Sequence, residues 1–263
     1  MLGKRILTAF FLIPLFVGAS LYLPPEWLIY LLAALAFIGG IEFSIMYFGR
    51  GPVSVVFFSA VTAASVYLAC VTKGRYFPLI SGGAFLLFSF LSLLGREISG
   101  NRGRAFFSQI VGFFYLYTFL PYISFVRDLP RGGWLLIFIA VTVYMGDTAA
   151  YFVGSRLGRI KLAPSISPGK TVEGAVASAI FGTLAGYAFL KYFYGLPAHF
   201  NYFLTALIVS TVGQGGDLLE SLFKRTANVK DSGWLFPGHG GFLDRFDSFI
   251  LNPFIVFFLM RGM

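Results

Sequence analysis

Nine stretches of this sequence stay apolar for close to the length that a bilayer demands, and that restricts what the chain can become. A hydrocarbon core is crossed by about 20 apolar residues in helical form. The stretches are roughly 6–23, 27–48, 53–72, 77–94, 105–126, 133–153, 172–190, 200–222 and 246–260. Each is continuously apolar rather than alternating, which points to helices and not to barrel strands. Only 12% of the 263 residues are charged and 57% are apolar, whereas a soluble domain carries about a quarter charged residues. The expected fold is all-α, a polytopic integral membrane helical bundle of about nine transmembrane helices.

Linkers bearing Gly, Pro and charge separate the stretches, among them Pro24 and Pro25, Arg50 to Pro52, Lys73 to Arg75, and Arg96 to Arg104. Lys4 and Arg5 before the first run also suit a signal peptide, but the run is longer than a signal core and retention is expected. Orientation follows from the basic residues in alternate loops. One side carries 14 of them, from Lys4 and Arg5 through Arg156, Lys170 and Lys224 to Arg245. The other carries 6: Lys73, Arg75, Arg127, Arg131, Lys191 and Arg261. The richer side is expected to be cytoplasmic, with the N-terminus there and the C-terminus outside.

This places the loops 154–171 and 223–245 in the cytoplasm, where nucleotides are. The expected location is the cell (inner) membrane, multi-pass, with an active site facing the cytoplasm. By role the chain divides into scaffold helices 1–130 and a catalytic half 131–263. Its +9 charge suits anionic lipid headgroups or phosphorylated substrates. The basic residues are scattered among apolar segments, which argues against nucleic acid. The single cysteine, Cys70, has no partner in the sequence for a disulfide.

Acids inside a membrane span cost a few kcal/mol and mark function by default. Glu42, Asp147, Asp217, Glu220 and Asp247 fall in or at the ends of expected spans, with Asp244 just outside. Asp217, Glu220, Ser221 and Lys224 follow i, i+3, i+4 and i+7, so they share one face of the eighth helix. Asp244, Asp247 and Ser248 repeat i, i+3 and i+4 at the ninth. Carboxylates gathered in this way suit a hard, oxygen-liking cation such as Mg²⁺ or Mn²⁺, with room for a second cation in the cluster. Asp217, Glu220, Asp244 and Asp247 are the candidate ligands. The plainer alternative is ion pairing or hydrogen bonding between helices.

The loop from Phe223 to Arg245 holds Lys224, Arg225, Lys230, Asp231, His239, Gly240 and Gly241. Glycines let backbone N–H groups approach an anion and the cations supply charge, so phosphate recognition is expected. The other cytoplasmic loop ends in Ser167-Pro168-Gly169-Lys170-Thr171. Its Gly-Lys-Thr matches the end of a P-loop, but Pro164 stands where that loop needs glycine, and the P-loop reading fails. A lysine and hydroxyls opening a helix still suit phosphate. Gly213, Gly215 and Gly216 are expected to loosen or break the eighth helix before Asp217. In the seventh span Gly174, Ser178, Gly182 and Gly186 form a small-residue stripe, expected to pack within the chain, with a homodimer as the other use.

The run from Ser221 through Lys224, Arg225, Lys230, Asp231, Pro237, Gly238, His239, Gly240, Gly241, Asp244 and Arg245 to Asp247 closely resembles the diagnostic motif of the phosphatidate cytidylyltransferase (CDP-diacylglycerol synthase) family. A second region, from Gly146 and Asp147 through Lys161, Pro164, Ser167, Lys170 and Thr171 to Gly174, is similar to the same family. The likeness is strong over about 140–250 and weak over the first 130 residues. It implies divalent-metal-dependent transfer of CMP from CTP to phosphatidate held in the bilayer, releasing pyrophosphate. It implies catalytic roles for Asp217, Asp244, Asp247, Lys224, Arg225 and His239. Substrate contacts would come from Lys170, Ser167, Thr171, Asp147, Lys230, Asp231, Gly240, Gly241 and Arg245. A transporter is the rival from another class, but the acids cluster late in the chain and no repeat is visible. A CDP-alcohol phosphotransferase would need a paired-aspartate motif that is absent. A related CTP transferase acting on another lipid phosphate, such as an archaeal ether lipid, keeps the same motifs.

Overall fold

The computed structural model describes residues 13–48, 52–94, 102–195, 200–233 and 240–261. Helices occupy the places of the apolar stretches: α1 (Ile13–Tyr22), α2 (Pro25–Phe48), α3 (Pro52–Val71), α4 (Phe77–Leu94), α5 (Arg102–Phe119), α6 (Pro121–Arg127) and α7 (Gly132–Leu157). A hairpin of β1 (Lys161–Ala163) and β2 (Ser167–Thr171) follows, then α8 (Val172–Phe189), α9 (Phe200–Thr226), α10 (Leu243–Ile250) and α11 (Asn252–Met260). Proline opens α2, α3 and α6, where its missing N–H costs nothing because the first turn has no intrahelical acceptor. Among the described residues, five helices are long and apolar enough to cross a membrane. Large apolar side chains such as Leu86 (68% exposed) and Phe181 (53%) face outward, as lipid contact requires and water would not tolerate at this density.

The chain packs as two units that interleave in sequence. One comprises 24–125 with 231–243; the other comprises 1–23, 126–230 and 244–263. In the first, Phe58, Phe88, Phe113 and Tyr117 form an aromatic core, with Phe113 and Tyr117 stacked 5.0 Å apart and Phe58 and Phe88 5.5 Å apart. In the second, the small-residue stripe of α8 meets α7 and α9. A Cβ at Gly182 would stand 2.8 Å from Thr142 O, and Ser210 Oγ donates to Ser178 O at 3.0 Å. The stripe therefore packs inside the chain, as expected.

Three features depart from expectation. The ninth stretch is two helices, because Pro253 lacks the N–H that a continuous helix would use. The Asn252 side chain donates to Ser248 O at 2.9 Å across the break. Gly213, Gly215 and Gly216 do not interrupt α9, which runs unbroken for 27 residues. Two of these glycines instead admit α10: a Cβ at Gly213 would lie 3.2 Å from Ser248 O, and one at Gly216 would collide with Asp247 O. Finally, the loop 154–171 is ordered as the tail of α7 plus a two-stranded antiparallel sheet, so the described residues are helical with one small sheet. The hairpin pairs Lys161 with Thr171 and Ala163 with Ser167, and Glu173 accepts from Ile160 N at 3.2 and 3.3 Å.

Candidate active site

Within the second unit, α7, α9, α10 and β2 bring the charged residues together. Lys170, at the end of β2, reaches Asp217 on α9, with Nζ 2.5 Å from Oδ2 and both side chains about a quarter exposed (26% and 28%). Ser221 Oγ, one turn further on, lies 3.5 Å from Asp217 Oδ1, a long contact. Asp147 of α7, Asp217 of α9 and Asp247 of α10 lie near enough to repel one another electrostatically. The Ser248 hydroxyl donates to Asp247 Oδ1 at 3.3 Å, and the same oxygen accepts from Ser248 N at 2.7 Å.

A second cluster sits one turn along α9. Lys224 Nζ pairs with Glu220 Oε2 in its own helix and with Asp244 Oδ1 of α10 at 2.7 Å. Glu220 is buried (1% exposed), and its Oε1 makes no hydrogen bond. Lys224 lies past the apolar part of α9. Burial works against its charge, but the bonds to Asp244 and Glu220 outweigh that and raise its pKa above the usual lysine value. The five carboxylates of the two clusters outnumber the two lysines paired with them.

The remaining candidates divide by what they touch. Thr171 is buried and caps α8, its Oγ1 accepting from Gly174 N at 3.2 Å. Its hydroxyl oxygen is thus occupied by the helix start, and Lys170 belongs to the strand before that helix rather than to its first turn. Arg225 donates from Nε to Ile166 O at 3.1 Å and from Nη1 to Val229 O at 3.3 Å, so it holds the hairpin turn against the end of α9. Ser167 opens β2 half-buried, while Lys230 and Arg245 are exposed. Asp231, Gly240 and Gly241 belong to the other unit, where Asp231 is exposed and Gly241 buried. His239 lies outside the described residues.

Asp147, Asp217 and Asp247 outnumber the one lysine paired with them, and a carboxylate-rich donor set is the chemistry that a hard divalent cation takes up. Among the described residues, no three His, Cys, Asp or Glu side chains are grouped closely enough to hold a metal by themselves. Mg²⁺ commonly binds through one or two carboxylates plus substrate phosphates rather than in an all-protein cage. The sequence reading put Asp147 in the site as a substrate contact; the structure sets it near Asp217 and Asp247. The sequence reading missed the division of labour whereby Lys224 occupies both Glu220 and Asp244.

The profile of the cytidylyltransferase family matches residues 3–263 of this chain. The phosphatidate cytidylyltransferase of Haemophilus influenzae is 30% identical over 285 residues, covering 98% of each chain. That of Bacillus subtilis is 46% identical over 137 residues, about half of each chain (51%). That of Staphylococcus aureus (strain COL) is 34% identical over 180 residues, 67% of this chain and 68% of the other. With paired lysines and carboxylates gathered across helices, and likeness along nearly its whole length, the chain belongs to the cytidylyltransferase family.

Proposed function

We infer that this chain is a phosphatidate cytidylyltransferase: it transfers CMP from CTP to phosphatidate, giving CDP-diacylglycerol and pyrophosphate. The observation that carries this is the pairing of Lys170 with Asp217 beside Asp147 and Asp247, in a family member aligned end to end with an enzyme of that name. A phosphate oxygen of the lipid attacks the α-phosphorus of CTP. The new P–O bond forms as the bond to the bridging oxygen breaks, and pyrophosphate leaves with that electron pair. Such a step needs positioning and charge neutralisation more than covalent help from the protein. Lys170, partly exposed, is placed to exchange Asp217 for a phosphate oxygen of the nucleotide. Lys224 neutralises Glu220 and Asp244 and fixes α9 against α10.

A divalent cation, Mg²⁺ or Mn²⁺, would be held by Asp217 and Asp247, with Asp147 beside them, and would supply positive charge to the triphosphate. A second cation at Glu220 and Asp244 would compete with Lys224, so one cation is the reading favoured here. Arg225 and the hairpin, with Ser167 and Thr171, form one wall of the site. Further phosphate contacts are assigned, from the family motif alone, to Lys230, Asp231, His239, Gly240, Gly241 and Arg245. In this reading 131–263 carries the chemistry, 1–130 the supporting helices, and the chain crosses the cell membrane about nine times, the last time through α10 and α11 together, with both motif loops in the cytoplasm. Incubating the purified protein in detergent with labelled CTP, phosphatidate and Mg²⁺ tests it. Labelled CDP-diacylglycerol and pyrophosphate in equal amounts are expected; no transfer, or transfer only to an ether-lipid phosphate, overturns the assignment.

A further inference from the structure

Glu42 is a buried acid (6% exposed) in α2, inside the half of the chain where the family motifs are absent. Its carboxylate is spent on backbone and hydroxyl groups of the distant segment 231–243, which packs in the same unit. Oε1 accepts from Phe242 N at 2.7 Å, and Oε2 accepts from Leu243 N at 3.0 Å and from Ser232 Oγ at 3.1 Å. Two motif glycines make room for it. A Cβ at Gly233 would stand 2.7 Å from Glu42 Oε1, and one at Gly241 would overlap both Glu42 Oε2 and Ser232 Oγ. The carboxylate therefore grips the segment at its start, through Ser232, and at its end, through Phe242 and Leu243. Leu243 is the first residue of α10 and is bonded directly to Asp244.

We propose that Glu42 is a positioning residue for nucleotidyl transfer: it clasps both ends of the glycine-rich loop and fixes the backbone that leads into Asp244. The proposal rests on the reaction inferred above. A charged acceptor shared by three donors is strong and directional, and an amide in its place has one acceptor oxygen and turns an NH₂ toward a donor. Aspartate keeps the charge but withdraws it by one methylene.

Glu42→Gln, Glu42→Asp and Ser232→Ala, in the full chain purified in detergent, test the clasp. Steady-state kinetics per folded molecule are measured together with hydrogen exchange at the Phe242 and Leu243 amides. Glu42→Gln should lower kcat about tenfold or more, the scale of a lost charge-assisted bond, and leave KM for phosphatidate within about twofold. Exchange at Phe242 and Leu243 should accelerate while amides of α7 and α8 exchange as in the wild type. Glu42→Asp should recover part of kcat, and Ser232→Ala should lower kcat less than Glu42→Gln does. If Glu42→Gln does not fold, Ser232→Ala decides the matter alone. Wild-type kcat and wild-type exchange in a folded variant overturn the proposal, as does lost activity that merely follows lost folded protein. An inactive wild type counts against the inferred reaction only, because the exchange measurement reads the clasp without turnover.

Discussion

Lys170 Nζ and Asp217 Oδ2 stand 2.5 Å apart, and this pair ties the β-hairpin to α9. An incoming triphosphate must therefore compete with Asp217 for the lysine. Lys170→Ala should lower turnover about tenfold or more, about 1.4 kcal/mol of transition-state stabilisation. Removing either partner also disturbs the other, so the Lys170→Ala, Asp217→Asn double variant should lose less than the product of the single losses. A double-mutant cycle on kcat measures this coupling. Losses that simply multiply would mean the pair plays no joint part in turnover.

The two carboxylate clusters should respond differently to metal. Asp217→Asn and Asp247→Asn should each cost about a hundredfold in rate, about 2.7 kcal/mol, and raise the Mg²⁺ concentration needed for half-saturation. Asp244 is held by Lys224, so Asp244→Asn should reduce activity and leave the metal curve in its wild-type place. Activity against Mg²⁺ for the three variants, with melting in detergent as a folding control, separates them. A wild-type metal curve in Asp217→Asn, or an equal shift in Asp244→Asn, contradicts the assignment.

Lys224 compensates two carboxylates, one of them fully buried. Deleting its charge by Lys224→Met leaves both without their cation, a loss of about 3–5 kcal/mol for a buried pair. Adding Glu220→Gln should restore part of that stability, because it removes one of the stranded charges. Denaturant unfolding in detergent reads both steps. Unchanged stability in Lys224→Met would show that the ion pairs contribute nothing to the fold.

Arg225 should act through the hairpin. Its guanidinium spans Ile166 O and Val229 O, a reach that a single ammonium does not reproduce. Arg225→Ala should lower turnover about tenfold and expose the turn around Ser165 to protease, and Arg225→Lys should not rescue either effect. Near-normal activity with a protease-sensitive turn would remove Arg225 from the site and leave it a structural tie.

Topology is best probed at exposed positions. Ser165 and Asp231 are exposed, whereas Ser232 and the native Cys70 are buried (4% and 3%). Cysteines at 165 and 231, placed in a chain with Cys70 replaced, should resist an impermeant thiol reagent in intact cells and react after permeabilisation. Labelling of either without permeabilisation reverses the proposed orientation.

The helices were legible because an apolar run of bilayer length leaves the backbone few other ways to satisfy its hydrogen bonds. The shared face of Asp217, Glu220 and Lys224 was legible for the same geometric reason. The hairpin was not, since a strand of three residues, Lys161–Ala163, is too short to display an alternating pattern. The break before Asn252 and Pro253 was written in the sequence but masked by the apolar residues on both sides. Partnerships between helices were the least visible. Spacing along α9 made Lys224 a phosphate ligand as readily as the partner of Asp244, 20 residues away. Glu42 meets donors about 200 residues further along the chain, and no local pattern announces such a bond.

The crossing of α9 and α10 has a consequence for how the enzyme tolerates its solvent. At Gly216 the backbone of α9 lies against the carbonyl of Asp247, with no side chain between them. Helices in a bilayer answer changes in thickness and fluidity by tilting and by sliding on soft side-chain contacts. Touching backbones have no such slack. The spacing between Asp217, the very next residue, and Asp247 is set by this rigid contact, so it should hold steady as a cell remodels the lipids around the enzyme that helps to make them.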